Sequence, residues 1–344
     1  ATFPEETGST MTSRLTPEFD LFATDGKRTG FIRLPHSVHR SAYGFIPIPV
    51  AVIAHGDGPT VLLMAGNHGD EYEGQVALGR LIRALQPEQV RGRLIIVPSA
   101  NFPAAIAGSR TSPIDDGNLN RSFPGNPDGS VTEQIAWFIE ETLLPRVQVL
   151  VDLHSGGSSL TYVPSALARR SADPAEMAET VALLRAFGAP ITYLANAAQG
   201  ADQTSSAAAA RKGVRHIGTE LAGGGQVTPA ALQACEAGLR RVLHRLGVLS
   251  EPPAEPAPPT RLLEVLGADY YVYAPEDGLF EPLVELGDTV QAGQPAARLH
   301  DQATPWREPA LACFEHAGLV ICKRVPGLTR RGDCLFHLGT DCDG

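Results

Sequence analysis

The chain has no run of about 18 or more consecutive apolar residues, so no segment reads as a membrane-spanning helix. Basic residues are outnumbered, 28 Lys and Arg against 38 Asp and Glu, for a net charge of −10. That excludes the basic stripe a nucleic-acid-binding protein needs, although it leaves room for a local basic pocket. Cysteine is scarce and odd in number: Cys235, Cys313, Cys322, Cys334 and Cys342. Four of the five fall in the last 32 residues, but their spacing fits no zinc ribbon. Buried, reduced thiols of a cytoplasmic protein are expected rather than a metal or disulfide knot. Residues 1–10 are polar and lack a signal-peptide core, and Met11 is a candidate natural start. What remains is ordinary for a globular protein: 344 residues, 43% of them hydrophobic, enough for two domains and a large core.

The informative residues are Gly66-Asn67-His68-Gly69-Asp70-Glu71 and, far downstream, Val151-Asp152-Leu153-His154. Two imidazoles and a carboxylate form a common ligand set for catalytic zinc, which takes three protein ligands and keeps a fourth position for water. The apolar run Val61-Leu62-Leu63-Met64-Ala65 reads as a buried strand that ends at Gly66. Residues 72–85 then carry helical spacing. His68 and Glu71 are therefore expected on a loop at the C-terminal end of a strand, where ligands bind in open α/β sheets. Residues 147–153 read as a second strand that delivers His154 to its own C-terminal end. Two adjacent parallel strands would converge their tips on one ion; the competing reading is two unrelated loop histidines.

Two further motifs are Gly117-Asn118-Leu119-Asn120-Arg121-Ser122-Phe123-Pro124-Gly125 and Gly218-Thr219-Glu220-Leu221. With these, the chain resembles the succinylglutamate desuccinylase/aspartoacylase family of the zinc carboxypeptidase superfamily. The four motifs occur in the family's order over roughly residues 60–225. The resemblance implies that His68, Glu71 and His154 hold one zinc ion. It implies that Glu220 is the general base, a partly desolvated carboxylate that takes a proton from water and returns it to the leaving amine. Asn120 and Arg121 would grip the substrate's α-carboxylate, which an Arg fork matches bidentately. Arg110 would polarise the scissile carbonyl. A strand-end glutamate and a surface arginine are the bland readings of Glu220 and Arg110. Two departures stand out. The spacing from Arg110 to Arg121 is longer than in aspartoacylases. The family often carries Asp where this chain has Asn118, which removes a charge near Arg121 and leaves its orientation open.

The organisation is α/β. Two N-terminal strands lie within residues 29–34 and 46–53. Strands at 94–97, 147–153, 191–195 and 214–219 then alternate with helices at 131–144, 174–187, 205–212 and 229–246. Asp173 is a natural N-cap for the helix that starts at Pro174. This alternation predicts a mixed, mostly parallel sheet flanked by helices, of the zinc-carboxypeptidase kind. A proline-rich linker at 250–260 separates a hydrolase domain, 1–249, from a C-terminal β domain, 261–344. There Gly287-Asp288-Thr289-Val290-Gln291-Ala292-Gly293 resembles the turn of biotinyl/lipoyl-type barrels. Lys323, the one lysine between Gly293 and Gly327, lies late in a strand-like run without a carrier hairpin. This small barrel-sandwich-like domain is therefore expected to cap the catalytic domain or to mediate assembly into a homo-oligomer.

The resemblance implies a small-molecule substrate, an N-acyl amino acid, hydrolysed at its amide. Gly66-Asn67-His68-Gly69-Asp70-Glu71-Tyr72-Glu73-Gly74, Arg110-Thr111-Ser112-Pro113-Ile114-Asp115 and Asn120-Arg121-Ser122-Phe123-Pro124-Gly125 look like the branch that deacetylates N-acetyl-L-2,4-diaminobutyrate in ectoine breakdown. A substrate ammonium would need an acidic contact, for which Asp115, Asp116 and Asp202 are candidates. Three alternatives stay open: a deacylase with another acyl group, a metallocarboxypeptidase for short peptides, and a non-enzyme on a decayed scaffold. The intact set His68, Glu71, His154 and Glu220 speaks against the last.

Overall fold

Alternation within the apolar strands decides the layering. In Thr60–Ala65, the residues Val61, Leu63 and Ala65 enter one core, while Leu62 and Met64 enter another on the opposite face. Strand Gly92–Val97 divides in the same way, Leu94 and Ile96 against Ile95 and Val97. Both faces of these strands are covered, which is why they read as unbroken hydrophobic runs. A computed structural model describes residues 12–195 and 201–342.

Helices Tyr72–Ala84, Pro174–Phe187 and Pro229–Arg245 cover one face through Leu78, Leu184, Leu239 and Val242. Helices Val131–Trp137 and Ser205–Arg211 cover the other through Ile135, Ala136, Ala208 and Ala209. Asp173 caps its helix, accepting from the amides of Ala175 and Glu176, and Gly188 ends it with a left-handed φ of 70°. The helix expected over 131–144 is not uniform. It begins with a Ser130–Glu133 capping box, widens into a π-helical turn at Phe138–Leu143, and closes in a 3-10 turn at Leu144–Arg146. Pro145, which lacks an amide hydrogen, sits in that last turn.

The large sheet is mixed, as expected, with more antiparallel pairing outside its centre than a mostly parallel sheet would have. Its centre, Gly92–Val97, Thr60–Ala65, Val149–His154 and Arg215–Glu220, is parallel throughout. The N-terminal strands Gly26–Pro35 and Phe45–His55 pair antiparallel with each other, as the short connection between them requires, and Phe45–His55 adds antiparallel onto Gly92–Val97. On the other side Ser165–Arg169, which has no clear sequence signal, pairs antiparallel with Arg215–Glu220 and parallel with Ile191–Ala195.

Residues 250–260 form no regular element. Strand Arg261–Val265 then joins the same sheet, parallel to Ile191–Ala195, and carries it on to Cys334–Asp341 and Gly318–Arg324. Strand Leu160–Tyr162, from the earlier part of the chain, also pairs with Gly318–Arg324. A second sheet of four strands, Ala310–Cys313, Pro295–His300, Gly278–Pro282 and Leu328–Thr329, completes the C-terminal part. A third core lies there, around Leu299, Phe314, Ile321 and Phe336. None of the described helices is long and apolar enough to cross a membrane.

Candidate active site

Strands Thr60–Ala65 and Val149–His154 are hydrogen-bonded neighbours, with Met64 opposite Asp152 and Ala65 opposite Leu153. Their C-terminal ends therefore open side by side. Gly66, at a left-handed φ of 65°, turns the chain out of the first strand. Gly69 presses against the helix Phe102–Ala107: a Cβ there would lie 2.0 Å from the carbonyl carbon of Ala104. The loop is thus seated by a close backbone approach that only glycine permits.

His68, Glu71 and His154 meet at this point, each offering a ligand atom within 4.8 Å of the others. Glu71 Oε1 lies 2.6 Å from His68 Nδ1, and Oε2 lies 2.9 Å from His154 Nδ1. Glu71 also accepts the Ser155 amide at 3.2 Å. The outer ring nitrogens are held as well. His154 Nε2 lies 2.9 Å from Asp152 Oδ2, and His68 Nε2 lies 3.1 Å from Asn118 Oδ1. Asp152 is fully buried and also accepts from Ser205 Oγ at 2.6 Å and Asn67 Nδ2 at 3.2 Å. Inner nitrogens aimed at one point and outer nitrogens fixed by acceptors are the arrangement of a metal-binding histidine pair, so the donor set fits zinc.

The charges agree with this geometry. Burial opposes ionisation of Glu71, yet His68 and His154 outweigh it and hold the carboxyl well below its usual range. Burial likewise works against the His154 imidazolium, but Asp152 and Glu71 raise its pKa well above the ordinary value. The cluster is therefore built to hold positive charge at its centre, which a divalent cation would supply.

Glu220 is placed beside it by register. It ends strand Arg215–Glu220 directly opposite His154 on the neighbouring parallel strand. Its Oε2 is buried and has no hydrogen-bond partner among the described residues. Burial, reinforced by the Glu71 charge, pushes its carboxyl well above the normal range. Arg110 Nη1 stands 3.5 Å from Glu71 Oε1, at the rim, with about half its side chain exposed. Arg121 donates to the carbonyl of Asn120 at 2.7 Å and has no ion-pair partner among the described residues. Burial and then the neighbouring Arg110 lower its pKa, as expected for two guanidiniums close together.

A family model, the succinylglutamate desuccinylase/aspartoacylase catalytic domain, matches residues 57–246, which include all of these groups. The chain belongs to the succinylglutamate desuccinylase/aspartoacylase family. It is 42% identical over 314 residues to the N-alpha-acetyl-L-2,4-diaminobutyric acid deacetylase of Halomonas elongata, covering 91% of this chain and 92% of that one. The product-bound ectoine utilization protein EutE (DoeB) of Ruegeria pomeroyi is similar throughout: 42% identity, TM-score 0.90, 96% of this chain and 100% of the other. A succinylglutamate desuccinylase/aspartoacylase from Rhodobacter sphaeroides matches at 37% identity and TM-score 0.90, over 96% and 100% of the two chains.

Other residues of this family member stand differently from the sequence expectation. Asn120 Oδ1 accepts the Ser205 amide at 2.9 Å, so its acceptor anchors a helix start and only its NH₂ is left for a ligand. Asn118 bears on His68 rather than on the orientation of Arg121. Asp115 is committed to the fold: its oxygens accept the Thr132 amide at 2.7 Å, the Thr132 hydroxyl at 2.9 Å and the Gly117 amide at 3.2 Å. Asp116 is exposed on a left-handed backbone, φ 53°, and Asp202 is exposed and faces Arg169 at 3.4 Å. Asp152 was legible in principle. It lies two residues before His154 on a strand, hence on the same face. Asn118 and Ser205 carried no such signal, because their contacts with His68 and Asp152 join segments far apart in the chain.

Proposed function

We propose that this protein is a zinc-dependent amidohydrolase that removes a small acyl group from an N-acyl amino acid. The observation that carries the reading is the convergence of His68, Glu71 and His154 on one point, with Glu220 opposite His154. Zinc held by those three residues would supply a Lewis acid next to the scissile carbonyl. Glu220 takes a proton from the attacking water and delivers it to the amine nitrogen as the carbon–nitrogen bond breaks, giving a carboxylate and a free amine. Arg110, at the rim, stabilises the developing oxyanion. Arg121 holds the α-carboxylate, and the NH₂ of Asn120 stands beside it.

The identity to the Halomonas deacetylase supports N-acetyl-L-2,4-diaminobutyrate as the substrate. Asp115 is left out of the pocket, because Thr132 and Gly117 already occupy its oxygens. We place the division between a hydrolase unit, 1–249, and a barrel-sandwich-like cap, 261–344, at the irregular segment 250–260. A cap of this kind favours small substrates over long peptides. A cytoplasmic location suits the buried thiols of Cys235 and Cys322.

The test is acetate release from N-acetyl-L-2,4-diaminobutyrate by zinc-loaded protein, with a chelated control and a panel of other N-acyl amino acids and short peptides. Chelator-sensitive release from the first compound is expected. Turnover confined to other N-acyl amino acids would overturn the substrate, and turnover confined to peptides would overturn the reaction class.

A further inference from the structure

Glu73 stands two residues after the ligand Glu71, in the first turn of the helix Tyr72–Ala84. An acidic residue is favourable there because of the helix dipole, but that role needs no burial. Glu73 is completely buried. It has no ion-pair partner among the described residues, and its Oε2 has no hydrogen-bond partner. A carboxyl group withdrawn from water without a cation costs stability, so burial of Glu73 calls for a different reason.

That reason lies in what its carboxyl holds: the Ser155 side chain lies beside it, and one oxygen reaches the loop after Glu220. Glu73 Oε1 accepts the Gly223 amide at 3.0 Å. Gly223 belongs to the turn that follows Glu220, and the turn has little freedom of its own. Ala222 adopts a left-handed φ of 75° and Gly223 a φ of 118°. The Ala222 carbonyl accepts from the amides of Gly156 and Tyr162, both at 3.0 Å, and the Leu221 amide donates to the His154 carbonyl at 3.0 Å. A Cβ on Gly223 would lie 2.6 Å from the Leu160 carbonyl oxygen. Asp70 does the parallel task for the other strand end: its Oδ2 accepts the Ser158 amide at 2.8 Å and hydroxyl at 2.7 Å, just beyond His154. One short acidic segment thus ties down the loops after both strands that carry site residues, and Glu71 lies between the two ties.

We propose that Glu73 is a positioning residue that fixes the carboxyl group of Glu220 relative to the metal ligands by holding the Gly223 turn. This rests on the reading of Glu220 as the general base. The tests are Glu73→Ala, Glu73→Asp and Glu73→Gln in the zinc-loaded full chain, assayed for kcat, KM, thermal midpoint and zinc affinity by chelator competition. Asp withdraws the carboxyl from Gly223 by one methylene while disturbing the core little, so it answers the question if Ala fails to fold. The Asp variant should lose about tenfold or more in kcat per zinc-loaded site, given how steeply rate depends on displacements of about 1 Å. Its KM and zinc affinity should hold. Gln keeps an acceptor oxygen and should restore kcat to within about threefold of the parent. Full kcat in the Asp variant, a loss matched by the loss of folded or zinc-loaded protein, or a Gln variant as poor as Asp would each overturn the proposal. Glu220→Gln separates the two levels. If it retains turnover, the base assignment fails; if it is inactive while Glu73→Asp is fully active, the positioning role alone fails.

Discussion

His337 offers a test of the C-terminal core that is read by stability rather than by activity. It lies in strand Cys334–Asp341 and is 3% exposed. Its ring stacks on Tyr271 with centroids 4.0 Å apart and 10° between planes, and meets Tyr193 edge-on at 6.2 Å. Neither ring nitrogen has a partner among the described residues. Burial alone pushes its pKa down from 6.5 to about 3. The folded protein therefore holds a neutral imidazole, whereas the unfolded chain takes up a proton below pH 6.5. The stability is complete above about pH 6.5 and is lost progressively as the pH falls toward 3. At pH 5 the unfolded chain has gained about 1.5 pH units of protonation, worth about 2 kcal/mol at 1.36 kcal/mol per unit. His337→Phe keeps an aromatic ring against Tyr271 and abolishes the titration. It also removes two unpartnered buried nitrogens, a pH-independent gain of about 1 kcal/mol. Urea unfolding followed by far-UV circular dichroism, with chelator present for both proteins, measures the difference directly. The Phe variant's advantage over the parent should grow by about 2 kcal/mol between pH 7.5 and pH 5. Other groups that titrate in this window, His216 among them (pushed to about 4 by its burial), are present in both proteins and cancel in the difference. A gap that does not change with pH would refute the reasoning.

Three further outcomes follow from the site. Glu220→Gln should bind zinc normally and lose about 10²-fold or more in turnover, as expected when a general acid/base is removed; near-normal kcat in zinc-loaded protein would remove Glu220 from that role. Arg121→Ala should raise KM for substrates with a free α-carboxylate far more than for their amides, and an equal effect on both would show that Arg121 grips something else. Asp152→Asn should weaken zinc binding by about 10- to 100-fold, read by competition with a chromogenic chelator, because it loosens the outer nitrogen of His154. Unchanged affinity would mean that Ser205 and Asn67, rather than the ligand, are what Asp152 serves.

Among the central strands, Arg215–Glu220, with only Ile217 strongly apolar, was legible from its place in the alternation. The other three were legible from the apolar runs 61–65, 94–97 and 149–151, and two of their ends are marked by Gly66 and by Ser155-Gly156-Gly157. His68, Glu71 and His154 were legible for the same reason: all three stand at those strand ends, and parallel strands bring such ends together. Glu220 needed only one more step, since it also ends a strand. The N-terminal strands at one side of the sheet were legible too, but the short strand Leu160–Tyr162 was not. Thr161 and Tyr162 lie in a three-residue strand without alternation or turn signals, too short to read by pattern.

What the linear reading could least supply is the joint between the two parts of the chain. The proline-rich segment 250–260 reads as a boundary, and boundaries suggest separate cores. Yet Tyr162 pairs with Cys322, Cys322 with His337, and His337 with Tyr271, one row running across four strands. The register of that row is set by packing between segments far apart in the chain, which no local propensity encodes. The row has a functional corollary. The Tyr162 amide donates to the Ala222 carbonyl, within the turn that follows Glu220. The C-terminal strands therefore bear, through a continuous sheet, on the same turn that Glu73 holds from the helix side. A cap that only shaded the pocket could be removed with the catalytic residues left in place. C-terminal strands that pair with Leu160–Tyr162 cannot, because their loss exposes an unpaired strand edge next to the Gly223 turn.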